Sequence, residues 1–200
     1  FSRDRTLLSM MDQLNRKSAL VPVEDPDGLN GTLRDYQKRG VSWLHYLESL
    51  GLNGCLADDM GLGKTVQVIA RLVQEEESLK AAERKTLPPT LLIAPTSVLG
   101  NWDKELERFA PHLTAAVHHG AERVKTKKEF KQLCKKNDLL ITSFSLARRD
   151  SELLGSVAWH RIVLDEAQNI KNPKAAQTKA ILGLAGQHRL ALTGTPVENR

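Results

Sequence analysis

The sequence predicts an α/β fold in which a mostly parallel central sheet carries helices on both faces. Apolar runs of strand length alternate with segments of helix length along most of the chain, and polar residues directly follow several of these runs. Parallel strands are buried on both faces and are joined by helices that cross over the sheet. The 200 residues, of which 40% are hydrophobic and 26% charged, suffice for one compact lobe of this kind.

The elements follow one another in a regular order. Residues 1–30 contain an apolar stretch at helical spacing and then a proline-rich acidic stretch, so we expect an arm and linker there and one folded lobe over residues 31–200. Thr32 is a candidate cap for the first helix of the lobe, which should run to about Leu50. The predicted strands are 54–57, 91–94, 115–118, 139–142, 161–164 and 189–192.

The segment that follows the first predicted strand indicates a phosphate-binding site. It reads Asp58-Asp59-Met60-Gly61-Leu62-Gly63-Lys64-Thr65 and leads into a helix, whose positive N-terminal end favours an anion. Closely spaced glycines let the backbone approach a polyphosphate. We expect Lys64 to reach the β- and γ-phosphates and Thr65 to ligate Mg²⁺. A plain glycine-bearing turn stays open as an alternative, because Asp58 stands where the general pattern has glycine. The candidate nucleotide-binding residues here are Asp59, Met60, Gly61, Leu62, Gly63, Lys64 and Thr65.

Two further predicted strands end in polar residues. Asp165 and Glu166 follow an apolar run, where one carboxylate suits Mg²⁺ binding and its neighbour can deprotonate an attacking water. Asp165 is assigned the first role and Glu166 the second, and an acidic helix start remains the alternative. The last apolar run is followed by Thr193-Gly194-Thr195-Pro196. Since ligands of open α/β sheets bind outside the carboxyl ends of the strands, the three segments together predict nucleotide hydrolysis.

These segments resemble the phosphate-clamp, DExx-box and Thr-Gly-Thr-Pro motifs of superfamily 2 nucleic-acid motors. The chain is similar to the Swi/Snf-type ATPases over residues 32–199, in further segments such as Leu33-Arg34-Asp35-Tyr36-Gln37, Pro95-Thr96-Ser97-Val98-Leu99-Gly100-Asn101-Trp102 and Asn169-Ile170-Lys171-Asn172-Pro173. The resemblance implies the first RecA-like P-loop lobe of a motor, a three-layer sandwich whose second lobe lies outside these residues. That family usually has an acid at the position of Asp58, and Gln168 hints at a bacterial member.

The resemblance also implies roles for other residues. Gln37 is expected to recognise adenine, with an exposed helix residue as the alternative. Gln168, Thr193 and Thr195 are expected to link the γ-phosphate to the DNA-binding edge. Contacts with the DNA backbone are expected from Pro95, Thr96, Ser97, Asn101, Trp102, Thr142 and Ser143. Capping of the protein's own helix is the alternative for Ser97 and Asn101.

The expected function is that of an ATP-binding lobe in a DNA-dependent ATPase that translocates on double-stranded DNA and remodels protein–DNA complexes. ATP and Mg²⁺ are the expected cofactors, and the alternatives are a strand-separating helicase and a non-hydrolysing scaffold lobe. The net charge of +5 favours a polyanionic partner. We expect double-stranded DNA, the second lobe and a DNA-bound protein such as RNA polymerase as partners, and no membrane. The expected location is the nucleoid-associated cytoplasm of a bacterium, or a eukaryotic nucleus.

Overall fold

The computed structural model describes residues 23–57, 63–84, 86–170 and 172–194. Within these ranges six strands form one sheet with the order β1-β6-β5-β2-β4-β3, and each neighbouring pair is parallel. The predicted strands all occur, close to their predicted bounds. The strands are β1 (Gly54–Leu56), β2 (Thr90–Ala94), β3 (Ala115–His118), β4 (Leu139–Ser143), β5 (Trp159–Leu164) and β6 (Gly186–Leu192).

Helices fill the connections between the strands. Those in the described ranges are α1 (Asp35–Ser49), α2 (Lys64–Ala81), α3 (Leu99–Phe109), α4 (Lys127–Lys136), α5 (Phe144–Arg149), α6 (Ser151–Leu154) and α7 (Ala176–Leu182), with short 3₁₀ turns at Thr96–Val98 and Ala167–Ile170. The first helix does not use Thr32 as its cap, because it begins at Asp35 and the amide N–H of Arg34 donates to Oε1 of Gln37 at 2.9 Å. None of the helices in the described part has the length and apolar character of a membrane span.

The sheet is covered on both faces because its central strands are apolar on both faces. Along β2, Leu92 and Ala94 belong to a core that contains the buried sides of α1, α2 and α3. The alternate residues, Leu91 and Ile93, belong to a second core with the buried sides of α4, α5, α6 and α7. Successive strand residues point to opposite faces, so one strand contributes to both cores. The predicted three-layer sandwich is therefore confirmed.

The segment before α1 packs on this lobe. Leu29 and Leu33 are buried in the core beneath α1 and α2. The amide N–H of Gly28 donates to Oε1 of Glu77 at 2.7 Å, and that of Asn30 donates to the carbonyl of Phe109 at 2.7 Å. Residues 23–30, which were predicted to belong to a linker, thus lie against the lobe. The rest of the predicted arm and linker, residues 1–22, lies outside the described residues.

The parallel sheet brings the carboxyl ends of all its strands to one edge. Its order places β6 between β1 and β5, so the end of β6 lies between the segments that follow β1 and β5. Strand β2 lies on the other side of β5 and is followed by β4. The segments predicted to bind nucleotide therefore occupy one half of this edge, and the segments predicted to bind DNA occupy the other half.

Candidate active site

Helix α2, which was predicted to bind phosphate, begins at Lys64, directly after Gly63. Gly63 has a φ of 76°, in the left-handed region that favours glycine. A Cβ atom at this position would lie only 2.4 Å from Nε2 of Gln37. Gly63 thus allows the side chain predicted to recognise adenine to lie directly against the start of the helix. The N-terminal end of a helix favours an anionic ligand, because its amide N–H groups and the positive end of the helix dipole point outwards there.

The other predicted residues of this segment divide into two groups. Lys64 and Thr65 are the first two residues of α2 and are both partly exposed. Asp59, Met60, Gly61 and Leu62 lie outside the described residues.

A cavity of about 550 Å³ lies beside Gly63. It is lined by Arg34, Tyr36, Gln37 and Val66 on one side, and by residues near the end of α3 that include Arg108 and Phe109. Gln37 is only 8% exposed, so the alternative that it is an exposed helix residue is wrong. Its Oε1 accepts from the amide N–H of Arg34, which orients the amide group of the side chain. The cavity has the size of a small-ligand site.

The carboxylate of Asp165, directly after β5, is held from two sides. Nε1 of Trp102 donates to Oδ2 at 2.7 Å, and the amide N–H of Glu166 donates to Oδ1 at 2.8 Å. Burial raises the pKa of Asp165 above its ordinary value, while the hydrogen bond from Trp102 and the positive charge of Lys64 act in the opposite direction. The charge of Lys64, at the start of α2, therefore acts on Asp165 at the end of β5.

Glu166 has a backbone conformation that is rare for a residue with a side chain, with a φ of 51°. Its carbonyl accepts two hydrogen bonds from Asn169, from the amide N–H at 2.9 Å and from Nδ2 at 2.8 Å. These bonds hold the turn that directs Glu166 away from the strand. The sequence contained Asn169 within a matching segment but did not indicate this role.

Side-chain hydrogen bonds connect Glu166 with the end of β6. Nε2 of Gln168 donates to Oε2 of Glu166, and Oγ1 of Thr193 donates to Oε1 of Gln168 at 3.0 Å. Hydrogen bonds thus connect the segment after β5 with the end of β6 through Gln168 and Thr193. A link from the γ-phosphate to the DNA-binding edge through these residues stays a prediction. Thr195, the third residue of that group, lies outside the described residues.

Some of the residues predicted to bind DNA lie at the surface. Thr96, Ser97 and Asn101 are exposed at the start of α3, and Pro95 is partly exposed. No side chain caps α3, so the structure does not support capping of this helix as the role of Ser97. DNA binding by these four residues stays a prediction.

Three other residues predicted to bind DNA are buried, and for their side chains the prediction is corrected. Trp102 is 0% exposed and bonds to Asp165. Thr142 is 0% exposed, and its hydroxyl donates to the carbonyl of His118 at 3.0 Å. Ser143 is 1% exposed and accepts from the amide N–H of Leu146 at 3.3 Å, which caps α5. All three polar groups are satisfied within the protein, which leaves no accessible atom for a phosphate.

Comparisons with known proteins identify the family of this chain. The model of the SNF2-related domain family matches residues 36–200. YwqA of Bacillus subtilis, which carries the name of an ATP-dependent helicase/translocase, is 46% identical over 200 residues, which are 100% of this chain and 21% of that protein. Helicase SWR1 of Eremothecium gossypii is 42% identical over 186 residues, which are 92% of this chain and 12% of that protein.

A solved structure is also similar. The Sulfolobus solfataricus SWI2/SNF2 ATPase core in complex with dsDNA superposes with a TM-score of 0.76 at 42% identity, over 90% of this chain and 35% of that chain. The chain thus spans about a third or less of the length of these relatives. Since the family model matches residues 36–200 of the 200 residues, the chain belongs to the SNF2-related domain family of Swi/Snf-type ATPases.

Proposed function

We propose that this chain is the ATP-binding lobe of a DNA-dependent ATPase that translocates on double-stranded DNA and remodels protein–DNA complexes. One observation carries the proposal: Lys64, Asp165 and the hydrogen-bonded series Glu166, Gln168 and Thr193 converge at one edge of the sheet. The similar Sulfolobus ATPase core was solved with dsDNA, which supports a duplex as the partner. Strand separation is not favoured by any observation at this edge.

The residues at the start of α2 would bind the nucleotide. Gln37 faces the cavity beside Gly63 and would recognise the adenine edge with its amide. Lys64 would contact the β- and γ-phosphates at the first turn of the helix. The bond to be broken would then lie between α2 and the end of β5.

Thr65 and Asp165 would hold Mg²⁺. A hydroxyl and a carboxylate are oxygen donors of the kind that this ion prefers. Each oxygen of the Asp165 carboxylate accepts one hydrogen bond, and a carboxylate has about four lone-pair positions, so both oxygens retain capacity for a further partner. When bound, Mg²⁺ neutralises charge on the phosphate oxygens.

Glu166 would act as the general base. Its carboxylate would take a proton from the attacking water, and the hydrogen bond from Gln168 would keep it oriented towards the γ-phosphate. Loss of that phosphate would change the contacts of Glu166, and the series through Gln168 to Thr193 would carry this change to the end of β6. We propose that Thr195 continues this link.

Exposed groups at the start of α3 would contact the DNA backbone. The hydroxyls of Thr96 and Ser97 and the amide of Asn101 can donate to phosphate oxygens without reading the sequence.

A second RecA-like lobe of the same protein would close over the site and supply arginines. A DNA-bound protein such as RNA polymerase would be the displaced object, in the nucleoid of a bacterium or the nucleus of a eukaryote.

The test is ATP turnover by the full-length protein without nucleic acid, with single-stranded DNA and with duplex DNA. Lys64→Ala should lose nucleotide binding, whereas Glu166→Gln should retain binding and lose hydrolysis, because only the base is removed. Turnover that rises mainly with duplex and disappears in Glu166→Gln supports the proposal.

Other outcomes would replace it. A rise mainly with single strands would favour a strand-separating helicase, and no turnover under any condition would favour a scaffold lobe. Turnover of Glu166→Gln within about threefold of wild type would refute Glu166 as the base, since loss of a general base costs about 10² to 10⁴ in rate.

A further inference from the structure

Helix α3 reaches three parts of the proposed site. Its first turn carries the exposed Asn101, and the exposed Ser97 lies in the 3₁₀ turn directly before it; both belong to the proposed DNA surface. Near its C-terminal end, Arg108 and Phe109 line the cavity beside Gln37. Between these ends, Trp102 is fully buried and bonds to Asp165. One short helix thus touches the proposed DNA surface, the carboxylate at the end of β5 and the nucleotide cavity.

The bond from Trp102 is the contact by which α3 acts on Asp165. The indole N–H donates to Oδ2 at 2.7 Å, which is short for an N–H donor and typical of an ionised acceptor. The other oxygen, Oδ1, is held by the amide N–H of the next residue, Glu166. The plane of the carboxylate is therefore set jointly by the strand end and by α3.

The surroundings of Trp102 make this contact sensitive to the position of α3. Trp102 is 0% exposed and lies in the same core as Leu99 and Leu106, its neighbours on the buried side of the helix. A closely packed ring cannot turn independently of the helix that carries it. A shift of α3 therefore moves the indole N–H relative to Asp165.

We propose that Trp102 is a positioning residue that couples duplex binding at the start of α3 to the orientation of the Asp165 carboxylate and hence to Mg²⁺–ATP. This inference rests on the proposed function, since it assumes that Asp165 ligates the metal ion. It assigns Trp102 a role in the stimulation of hydrolysis by DNA, in place of a direct contact with DNA.

Trp102→Phe in the full-length protein tests the proposal, because it keeps an aromatic ring in the core and removes the N–H donor. The chain offers a matched control in Trp159→Phe. Trp159 is 2% exposed, and its Nε1 donates to the carbonyl of Leu154 at 2.9 Å, in the core on the other face of the sheet. Both variants lose one buried indole hydrogen bond, but only Trp102→Phe loses a bond to Asp165.

Two quantities are measured for each variant. The first is the dissociation constant of a fluorescent ATP analogue, by anisotropy, with Mg²⁺ and with EDTA. The second is the ratio of ATP turnover with and without duplex DNA. We expect Trp102→Phe to weaken binding about tenfold with Mg²⁺ and less than about twofold with EDTA, and to lower the duplex stimulation about tenfold, as losses of residues that orient metal ligands do. Trp159→Phe should change neither the effect of Mg²⁺ on ATP binding nor the stimulation of turnover by duplex DNA.

Several results would overturn the proposal. The midpoint of thermal unfolding is compared for the two variants. If Trp102→Phe lowers it as Trp159→Phe does, while the effect of Mg²⁺ on binding and the duplex stimulation keep their wild-type values, Trp102 is only a core residue. If basal and duplex-stimulated turnover fall by the same factor, the coupling is refuted. If the wild type shows no duplex stimulation, the proposed function fails, while the comparison of Mg²⁺ with EDTA still tests whether Trp102 positions Asp165.

A second variant keeps the test valid if Trp102→Phe does not fold. Incorporation of 3-benzothienylalanine at position 102 keeps the shape of the bicyclic ring and replaces the N–H group with sulfur. The same loss of the Mg²⁺ effect is expected in this variant. Binding that tightens with Mg²⁺ as in the wild type would refute the role of the N–H group.

Discussion

At the scale of single residues, the packing of Gln37 against the start of α2 depends on one glycine. Gly63 combines a left-handed φ of 76° with an approach to Gln37 so close that an added Cβ atom would have to push the Gln37 amide aside. The two requirements are separable, because Gly51 has a φ of 69° but no atom within 4 Å of the place a Cβ would take. The chain therefore contains a position with the same backbone demand and no crowding.

We expect Gly63→Ala to weaken ATP binding by about tenfold or more, equivalent to about 1.4 kcal/mol. The new methyl group would displace the amide of Gln37 from the cavity beside α2. Binding of a fluorescent ATP analogue by the full-length protein measures this effect. Gly51→Ala should lose only about 1 kcal/mol of stability from the left-handed backbone and keep wild-type binding. Equal ATP affinity in the two variants would contradict the prediction that displacement of Gln37 weakens ATP binding.

At the scale of elements, a buried ionic network fixes α1 and α2 to β5. It lies near the start of that strand, away from the edge formed by the carboxyl ends of the strands. Arg161 of β5 is 1% exposed and donates to Glu48 of α1 at 2.7 Å and to Glu75 of α2 at 2.6 Å. Arg71 of α2 donates to the same Glu48 at 2.9 Å. Buried charges are costly unless they are paired, so these contacts specify how α2 lies on the sheet. The same helix carries Lys64 at its N-terminal end.

The pKa of Glu75 makes this network sensitive to acid. Burial by itself would raise that pKa, but the hydrogen bond from His160 and the positive charge of Arg161 outweigh it and hold the pKa at about 2, against an ordinary value of 4.5. A carboxyl group with a lowered pKa in the folded state contributes stability that is complete above its unfolded pKa. This contribution is lost as the pH falls from about 4.5 towards 2.

We therefore expect the free energy of unfolding to fall more steeply with acidification in the wild type than in Glu75→Gln. Denaturant unfolding at a series of pH values from 7 to about 3 measures the difference between the two proteins. Glu107→Gln, at an exposed position of α3, is the control and should follow the wild type. Parallel curves for wild type and Glu75→Gln would contradict this assignment.

At the scale of the whole molecule, the proposed catalytic groups lie at an edge of the sheet and are partly exposed. Lys64, Asp165, Glu166 and Gln168 are each partly accessible. The positive charge of Lys64 acts on the carboxylate of Asp165. An arginine that stabilises the transition state of phosphoryl transfer is worth about 10³ to 10⁵ in rate. The proposed second lobe is where such a group would come from.

Residues 1–200 alone should therefore bind ATP weakly and hydrolyse it about 10³ to 10⁵ times more slowly than the full-length protein with duplex DNA. The measurement compares the turnover of the two proteins, with nucleotide binding and circular dichroism as evidence that the isolated lobe is folded. Robust turnover stimulated by DNA in residues 1–200 alone would refute the need for groups from a second lobe.

The sequence predicted the strands because they depend on local patterns: buried parallel strands are short apolar runs. The proposed catalytic residue Asp165 was singled out in the same way, because it stands directly after one of these runs. The burial of Trp102 was not predictable in this way, because its partner Asp165 is 63 residues away. In the sequence, Arg161 is only the first residue of a predicted strand. Its burial was not predictable either, because its partners Glu48 and Glu75 are 113 and 86 residues away.

The sequence by itself determined the α/β class, the positions of the strands and the chemical groups that follow them, since each rests on residues adjacent in the chain. The tertiary structure alone decided the order of the strands and the burial of Thr142 and Ser143. It also decided that Trp102 is buried and donates a hydrogen bond to Asp165, and does not lie at the surface. The physical reason is that solvent exposure and hydrogen-bond partners depend on contacts between elements, and these form only when distant parts of the chain pack together.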